Sequence, residues 1–241
     1  MAIGSYEKCK QYIEAHSPII EEFSERARHN PCITMSRETG AGVQLVCKEL
    51  IKILESLSIA DEVNWTYFDR ELIQRVLNDH NLPKQLNKYM KEDKYKFLSE
   101  DVNVLLGVHP SQRTLLQKIS ESILQLARMG KVIIVGRGAN IITAKLKNSF
   151  HVRLVAPLHN RVSHIMKIEN LKKKDAEAFV KQKDKARRDY IKSSFSQKVE
   201  DIEMYHIVVN TGLMSHKESA EIIAGAVIKK FPNFFSKATN Q

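Results

Sequence analysis

Cys32-Ile33-Thr34-Met35-Ser36-Arg37-Glu38-Thr39-Gly40-Ala41-Gly42 is the stretch on which the reading of this chain turns. A short apolar, β-branched run ends in a polar turn punctuated by two glycines. A helical pattern starts at once, with Val43, Leu45, Val46, Leu50, Ile51, Ile53 and Leu54 as the apolar positions between Val43 and Leu57. Strand, glycine turn and helix in immediate succession offer backbone N–H groups and a helix N-terminus to an anion. The phosphate-cradling pattern G-x-x-x-x-G-K-[ST] is met only in part. Gly42 fills the second glycine, Arg37 stands at the first, and Val43 stands at the lysine. A tight βα turn that holds no ligand needs the same glycines, so at this point both readings stand.

Outward from that stretch, the chain alternates. Val63 to Phe68 reads as a second strand and runs into Asp69, a residue able to cap a following helix. The pattern from Asp69 to about Asp93 is helical, with a break at Pro83. Pro110 and Ser111 open a long amphipathic helix that Gly130 closes. Lys131 to Val135 is a buried strand by composition and ends in Gly136-Arg137-Gly138, a second glycine turn. Phe150 to Ala156 is the next strand, followed by a helix that Pro157 can begin. Lys172 to about Phe195 is charged and helical, Tyr205 to Val209 is a last strand, and Lys217 to Phe231 a last helix. Strands alternating with helices, without hairpin signals, predict an α/β fold with a parallel sheet covered on both faces. Ligands bind such sheets beyond the carboxyl ends of the strands. Arg37, Asp69, Arg137 and Asn210 each fall at a strand end and should surround one crevice.

Composition bounds the partners. The chain has 241 residues, a net charge of +10 and the apolar content of a soluble globular protein. The positive charge favours anionic partners, and much of the excess sits between Lys167 and Lys198, where a solvated helix face is the plain alternative. No apolar run approaches membrane-spanning length, and the N-terminus lacks the apolar core of a signal peptide, which points to the cytoplasm and away from a membrane. Cys9, Cys32 and Cys47 lack metal-ligand spacing and read as reduced, buried thiols. Ser5 to His29 is an amphipathic helical stretch that Pro18 kinks or splits, an N-terminal extension to the main domain. The tail from Pro232 is expected to fray.

Five arginines, Arg37, Arg137, Arg161, Arg187 and Arg188, are the cations able to clamp phosphates through bidentate contacts. Arg137 has a glycine on each side, which lets its backbone approach a ligand closely; a salt bridge at the sheet edge is its plain alternative. Glu38 and Asp69 are candidates to hold Mg²⁺ directly or through water. The alternatives are a loop carboxylate paired to a neighbouring arginine and a helix cap. His151, His159 and His206 read as structural.

Four segments together resemble the cytidylate kinase-like family, a branch of the P-loop nucleoside monophosphate kinases. They are Ile33 to Gly42, Phe68-Asp69-Arg70-Glu71-Leu72-Ile73, Val135-Gly136-Arg137-Gly138-Ala139 and Asp184-Lys185-Ala186-Arg187-Arg188-Asp189-Tyr190. The resemblance spans about Pro31 to Lys230. It implies a three-layer fold with a five-stranded parallel sheet, an NMP-binding insertion at about 69–109 and a helical lid at about 172–198. It implies that Ser36, Arg37, Glu38, Thr39, Gly40, Ala41 and Gly42 hold the phosphates of donor ATP. Asn210 and Thr211 then lie near the donor base, Asp69 and Arg70 at the entry to the NMP-binding helices, and Arg137 at the acceptor phosphate. Asp184 and Arg187 match the D-x-x-R spacing of the lid. The departures are Val43 for the loop lysine, Leu45 for a hydroxyl residue, Gly138 for the aspartate of G-R-D and Asn210 for an aspartate.

The expected activity is ATP-dependent transfer of a phosphoryl group to a nucleoside monophosphate of CMP type or a similar small acceptor. Arg37, Arg137, Arg187, Arg188 and Mg²⁺ would position and neutralise the phosphates. Arg37, the one basic residue on the loop, is expected to fold over the phosphates in the lysine's stead, and Val43 to pack inward. A nucleotide-sensing module that lost the lysine and catalysis is the alternative from another class. Nucleic acid is disfavoured, because Phe179, Tyr190 and Phe195 are too few and too core-spaced to interleave with the lysines. The partners expected are nucleoside mono- and triphosphates. The sequence leaves the oligomeric state open, a homodimer included.

Overall fold

The structure is a computed structural model that describes residues 30–57, 64–69 and 112–235. The helical readings of Ser5 to His29 and of Asp69 to Asp93, Cys9, Arg70 and most of the 69–109 insertion lie outside the described residues. In chain order the elements are β1 (Cys32–Arg37), α1 (Val43–Leu57), β2 (Thr66–Phe68), α2 (Gln112–Met129), β3 (Val132–Val135), α3 (Ala139–Ile142), β4 (Ser149–Val155), α4 (Leu158–Glu169), α5 (Lys173–Phe195), β5 (Ile207–Asn210) and α6 (His216–Lys230). The five strands form one sheet in the order β2-β3-β1-β4-β5, and every pair is parallel. The expected alternation of strand and helix is thus realised, with β1 at the centre.

Side-chain alternation along the strands divides the core in two. Ile33 and Met35 of β1, with Ile133, Val135, Val152 and Leu154, face α1 and α6 through Val46, Leu50, Leu54, Ile223 and Val227. Cys32, Val132, Ile134 and Phe68 face the other way, onto Ile119, Ile123 and Leu126 of α2. Both faces of β1 are therefore dry, which explains why its sequence reads as an unbroken apolar run. Cys32 and Cys47 are free and buried. Burial pushes the Cys32 thiol up to about 12 and the Cys47 thiol higher still, so both stay protonated at neutral pH. Val43 packs against the core, as its apolar side chain at the first helical position demands.

One expectation changes. The chain does not fray at Pro232: Phe235 is 1% exposed, and Phe234 meets Trp65 edge to face at 6.4 Å. Two aromatic rings have enough apolar surface to anchor a short terminal turn against the mouth of β2. Among the described residues no helix is long and apolar enough to cross a membrane.

Candidate functional site

The parallel sheet sends the ends of β1, β3, β4 and β5 to one edge. β1 ends in register with β4, Arg37 opposite Leu154, and the chain then breaks away through Glu38 to Gly42 into α1. Gly40 and Gly42 have φ of +85° and +73°, a region that side-chain-bearing residues rarely enter. Close approach demands glycine as well. A Cβ on Gly40 would stand 2.6 Å from the Arg161 carbonyl oxygen, and one on Gly42 would stand 2.0 Å from the Nε2 of His216. The turn is closed by Ala41 N–H donating to the Glu38 carbonyl at 3.2 Å. The N–H groups of Gly40, Gly42, Val43 and Gln44 meet no acceptor among the described residues. A run of such donors at the start of a 15-residue helix, α1, is a site for an anion.

Beside this loop lies an ion-pair network centred on Arg161, itself 8% exposed. Arg161 follows β4 on the first turn of α4. Its Nε donates to the Ala156 carbonyl at 2.9 Å and lies 3.4 Å from Glu38 Oε2. Its Nη1 donates to Asp184 Oδ2 at 2.5 Å and to the Thr39 carbonyl at 3.3 Å. Asp184 belongs to α5, and its Oδ1 accepts from Thr39 N–H at 2.8 Å and from Arg187 Nη1 at 3.1 Å. Arg187 Nη1 also donates to Thr39 Oγ1 at 2.9 Å. Glu38 Oε2 accepts the Ala156 N–H at 3.0 Å. The plain reading of Glu38, a carboxylate paired to a neighbouring arginine, thus describes Oε2. Arg161, Asp184 and Arg187 are nearly desolvated, Glu38 less so, yet each has a partner and further hydrogen bonds, the condition under which a buried pair is tolerated.

The second glycine turn sits on the neighbouring strand. Gly136, Arg137 and Gly138 have φ of 84°, 56° and 70°, three left-handed residues in succession. For arginine that conformation is strained, and such strain persists only where the surroundings enforce it. The Arg137 side chain is buried at 7% exposure, with its guanidinium 5.7 Å above the Tyr190 ring of α5. A Cβ on Gly138 would stand 2.4 Å from the Phe195 ring. Asp184, Arg187, Tyr190 and Phe195 therefore lie along α5 as it passes from the loop after β1 to the turn after β3. The segment expected to act as a lid is docked across the sheet's carboxyl edge in this structure.

The remaining expected residues divide. Thr211 N–H donates to the Val155 carbonyl at 2.9 Å, and its hydroxyl donates to the Ala41 carbonyl at 3.0 Å, which ties the end of β5 to the loop. Asn210 Oδ1 accepts from Gly212 N–H at 3.0 Å and shapes that same turn. Ser36 Oγ accepts from Arg153 Nη1 at 3.2 Å inside the sheet. The Arg37 side chain reaches the turn after β3: a Cβ on Gly136 would stand 2.1 Å from its Nη1. It also lies close enough to Cys47, as does Asp69, to act on that thiol through its charge. Arg188 is on the outer face of α5, half exposed, with its Nε 3.9 Å from Glu200 Oε1. Among the described residues no group of three or more His, Cys, Asp or Glu side chains is placed to hold a metal ion.

Sequence reasoning missed two features here. Arg161 was one of five arginines, but its central position depends on a carboxylate 23 residues away that no local pattern reveals. His164 of α4 and His216 of α6 were passed over, and their rings come to 6.0 Å of each other beside Gly42. The only local signal was the Ser215–Glu218 capping box, which marks His216 as the first residue of α6.

A crystal structure of an uncharacterized protein from Eubacterium ventriosum ATCC 27560 is similar at a TM-score of 0.60 and 19% identity, over 82% of this chain and 98% of that one. A gluconokinase from Sinorhizobium meliloti 1021 is similar at a TM-score of 0.48 and 9% identity, over 87% of this chain and 98% of that one. A uronate isomerase from Corynebacterium glutamicum is 22% identical over 100 residues, which make up 42% of this chain; the chain spans about a fifth (19%) of the length of that curated relative. The family model of the cytidylate kinase-like family matches residues 32–213, from the first residue of β1 to the turn after β5. With both glycine turns, Arg161 and the D-x-x-R pair of α5 inside that match, the chain belongs to the cytidylate kinase-like family.

Proposed function

We propose that this protein is a nucleotide-binding phosphotransferase that moves a phosphoryl group from ATP to a nucleoside monophosphate of CMP type or a similar small acceptor. The observation that carries the reading is the loop from Arg37 to Gly42. Its left-handed glycines leave the N–H groups of Gly40, Gly42, Val43 and Gln44 without acceptors among the described residues at the start of α1. Phosphoryl transfer needs little covalent chemistry from the protein; it needs phosphates held in line and their charge neutralised. The donor's phosphates would lie on the loop, with Thr211 and Asn210 shaping its rim. Arg137, held at the end of β3 by strained backbone, would meet the acceptor phosphate, and Arg187 would act from α5. Asp69 and Arg70 would border the acceptor.

Mg²⁺ would neutralise the phosphates in such a site. It keeps several waters and takes only one or two carboxylates, and Glu38 retains Oε1 for that role while Oε2 is tied to Ala156 and Arg161. The compartment that fits these partners is the cytoplasm. One observation favours a second reading, a nucleotide-sensing module without turnover. Val43 packs into the core, so no side chain at that position reaches the phosphates.

An ATP-consumption assay over a panel of nucleoside monophosphates, with thermal melting alongside, decides between them. Turnover with one acceptor supports the phosphotransferase. Nucleotide stabilisation without turnover on any acceptor supports the sensor. Neither turnover nor stabilisation by any nucleotide overturns both.

A further inference from the structure

The loop lacks the lysine of the usual phosphate pattern, and the Arg37 guanidinium lies against Gly136 in the turn after β3. A different side chain occupies the space at the second glycine. His216 is fixed as the first residue of α6 by the capping box, in which Glu218 N–H donates to Ser215 Oγ at 3.1 Å and Ser215 N–H to Glu218 Oε2 at 2.7 Å. Its ring lies so close over Gly42 that Nε2 is the atom a Cβ there would strike first. His164 reaches the same place from α4. Both rings are half-buried.

We infer that His216, with His164 beside it, supplies the side-chain cation for phosphates bound at this loop, in the place of the loop lysine. The inference rests on the phosphate reading of the loop proposed above. An imidazolium is a hydrogen-bond donor with full charge, so one beside the N–H groups of Gly42 and Val43 adds what backbone amides alone do not.

The charges around the pair set its behaviour. Burial first, then His216 and Lys167, hold the His164 ring below its ordinary value, so with no anion present protonation is resisted. On the packed elements, Arg161 is committed to Glu38 and Asp184, Lys217 lies 3.9 Å from Glu221 Oε1, and Glu218 is held in the capping box. Lys48 of α1 is exposed. Among the described residues no ion pair links a carboxylate to either ring, and a bound polyphosphate would draw a proton onto them.

The test is calorimetric titration with inorganic tripolyphosphate at about pH 6 and about pH 8, either side of the ordinary imidazole range. The wild-type chain should bind more tightly at the lower pH and take up a proton, read as a dependence of the heat on the buffer's ionisation enthalpy. The ligand's own charge is larger at the higher pH, so it would produce the opposite trend. His216→Gln should lose about tenfold in affinity near pH 6, the scale of one charge-assisted hydrogen bond, and show a weaker pH dependence, the part left to His164. Ring-proton NMR of the wild-type chain gives the same answer without a substitution: the titration midpoints of His164 and His216 should rise when tripolyphosphate binds. Full affinity in a folded His216→Gln, or unmoved midpoints in a wild-type chain that does bind, overturns the inference and leaves the loop reading standing. No binding of tripolyphosphate by the wild-type chain removes the loop reading itself, and the inference with it.

Discussion

Two histidine pairs separate the two ends of this sheet. His151 and His206 lie in its amino-terminal half, with ring centroids 4.9 Å apart. His151 Nδ1 is 2.8 Å from the Thr34 hydroxyl, and His151 N–H donates to His206 Nδ1 at 2.9 Å. His206 stacks on Phe150 and approaches Lys230 Nζ at 2.6 Å. His164 and His216 lie at the carboxyl edge, half-buried, against a glycine whose N–H has no acceptor among the described residues. The first pair is consumed by the fold, because strand backbone, a buried hydroxyl and an aromatic face use its nitrogens and rings. The second rests on an anion-ready loop. Chemical type is the same in both; what differs is whether the surroundings complete the hydrogen bonding or leave it to a ligand.

The largest effect that separates the two ends is expected at Asp184. Asp184→Ala leaves the Thr39 N–H without its acceptor and takes from Arg161 the nearer of its two carboxylates, Glu38 remaining at 3.4 Å, at side-chain exposures of 10% for Arg161 and 13% for Asp184. Breaking a pair this buried should cost about 3–5 kcal/mol of stability, read by urea denaturation. A loss below about 1 kcal/mol would mean that α5 is held by its apolar face alone.

Acid should act on the opposite end. Burial, with help from His206 and Lys230, holds His151 down at about 4 against 6.5 for a free histidine. Between those values the unfolded chain binds more protons than the folded one. Stability therefore rises with pH across that window and falls as the pH drops from 6.5 towards 4, by about 3 kcal/mol from this ring. His151→Gln should flatten that part of a stability–pH profile. A profile unchanged by the substitution would place the acid sensitivity in other groups.

The smallest effect is expected at Arg188, on the outer face of α5. Its contact with Glu200 is 3.9 Å long, with both side chains half exposed. Arg188→Ala should change stability by no more than about 0.5 kcal/mol. If it nevertheless abolishes phosphotransfer, α5 must turn this face inward during turnover, and the docked geometry is only one of its positions.

Much of the architecture was legible locally. The apolar run of β1, the buried strand before Gly136 and the proline opening of α4 each carry their signal within a few residues. Parallel pairing followed from the lack of hairpin turns. Both glycine turns were legible too, since only glycine fits left-handed backbone under a close neighbour. The docking of Phe234 and Phe235 was not, because two aromatics near a terminus look the same whether or not Trp65 is there to receive them.

The sequence by itself determined the order of strands and helices, the edge of the sheet where Arg37, Asp69, Arg137 and Asn210 gather, and the family pattern that spans β1 to the turn after β5. These are properties of backbone conformation and local polarity, and neighbouring residues encode them. Only the tertiary structure decided which charges meet. Arg37 was the loop's cation by position, yet its guanidinium lies under Gly136, while Arg161, 122 residues beyond Thr39, takes the seat beside the loop. His216 reaches Gly42 only because α6 packs on α1. Long side chains at strand ends have several directions open to them, and packing across the sheet, which no local pattern contains, selects one.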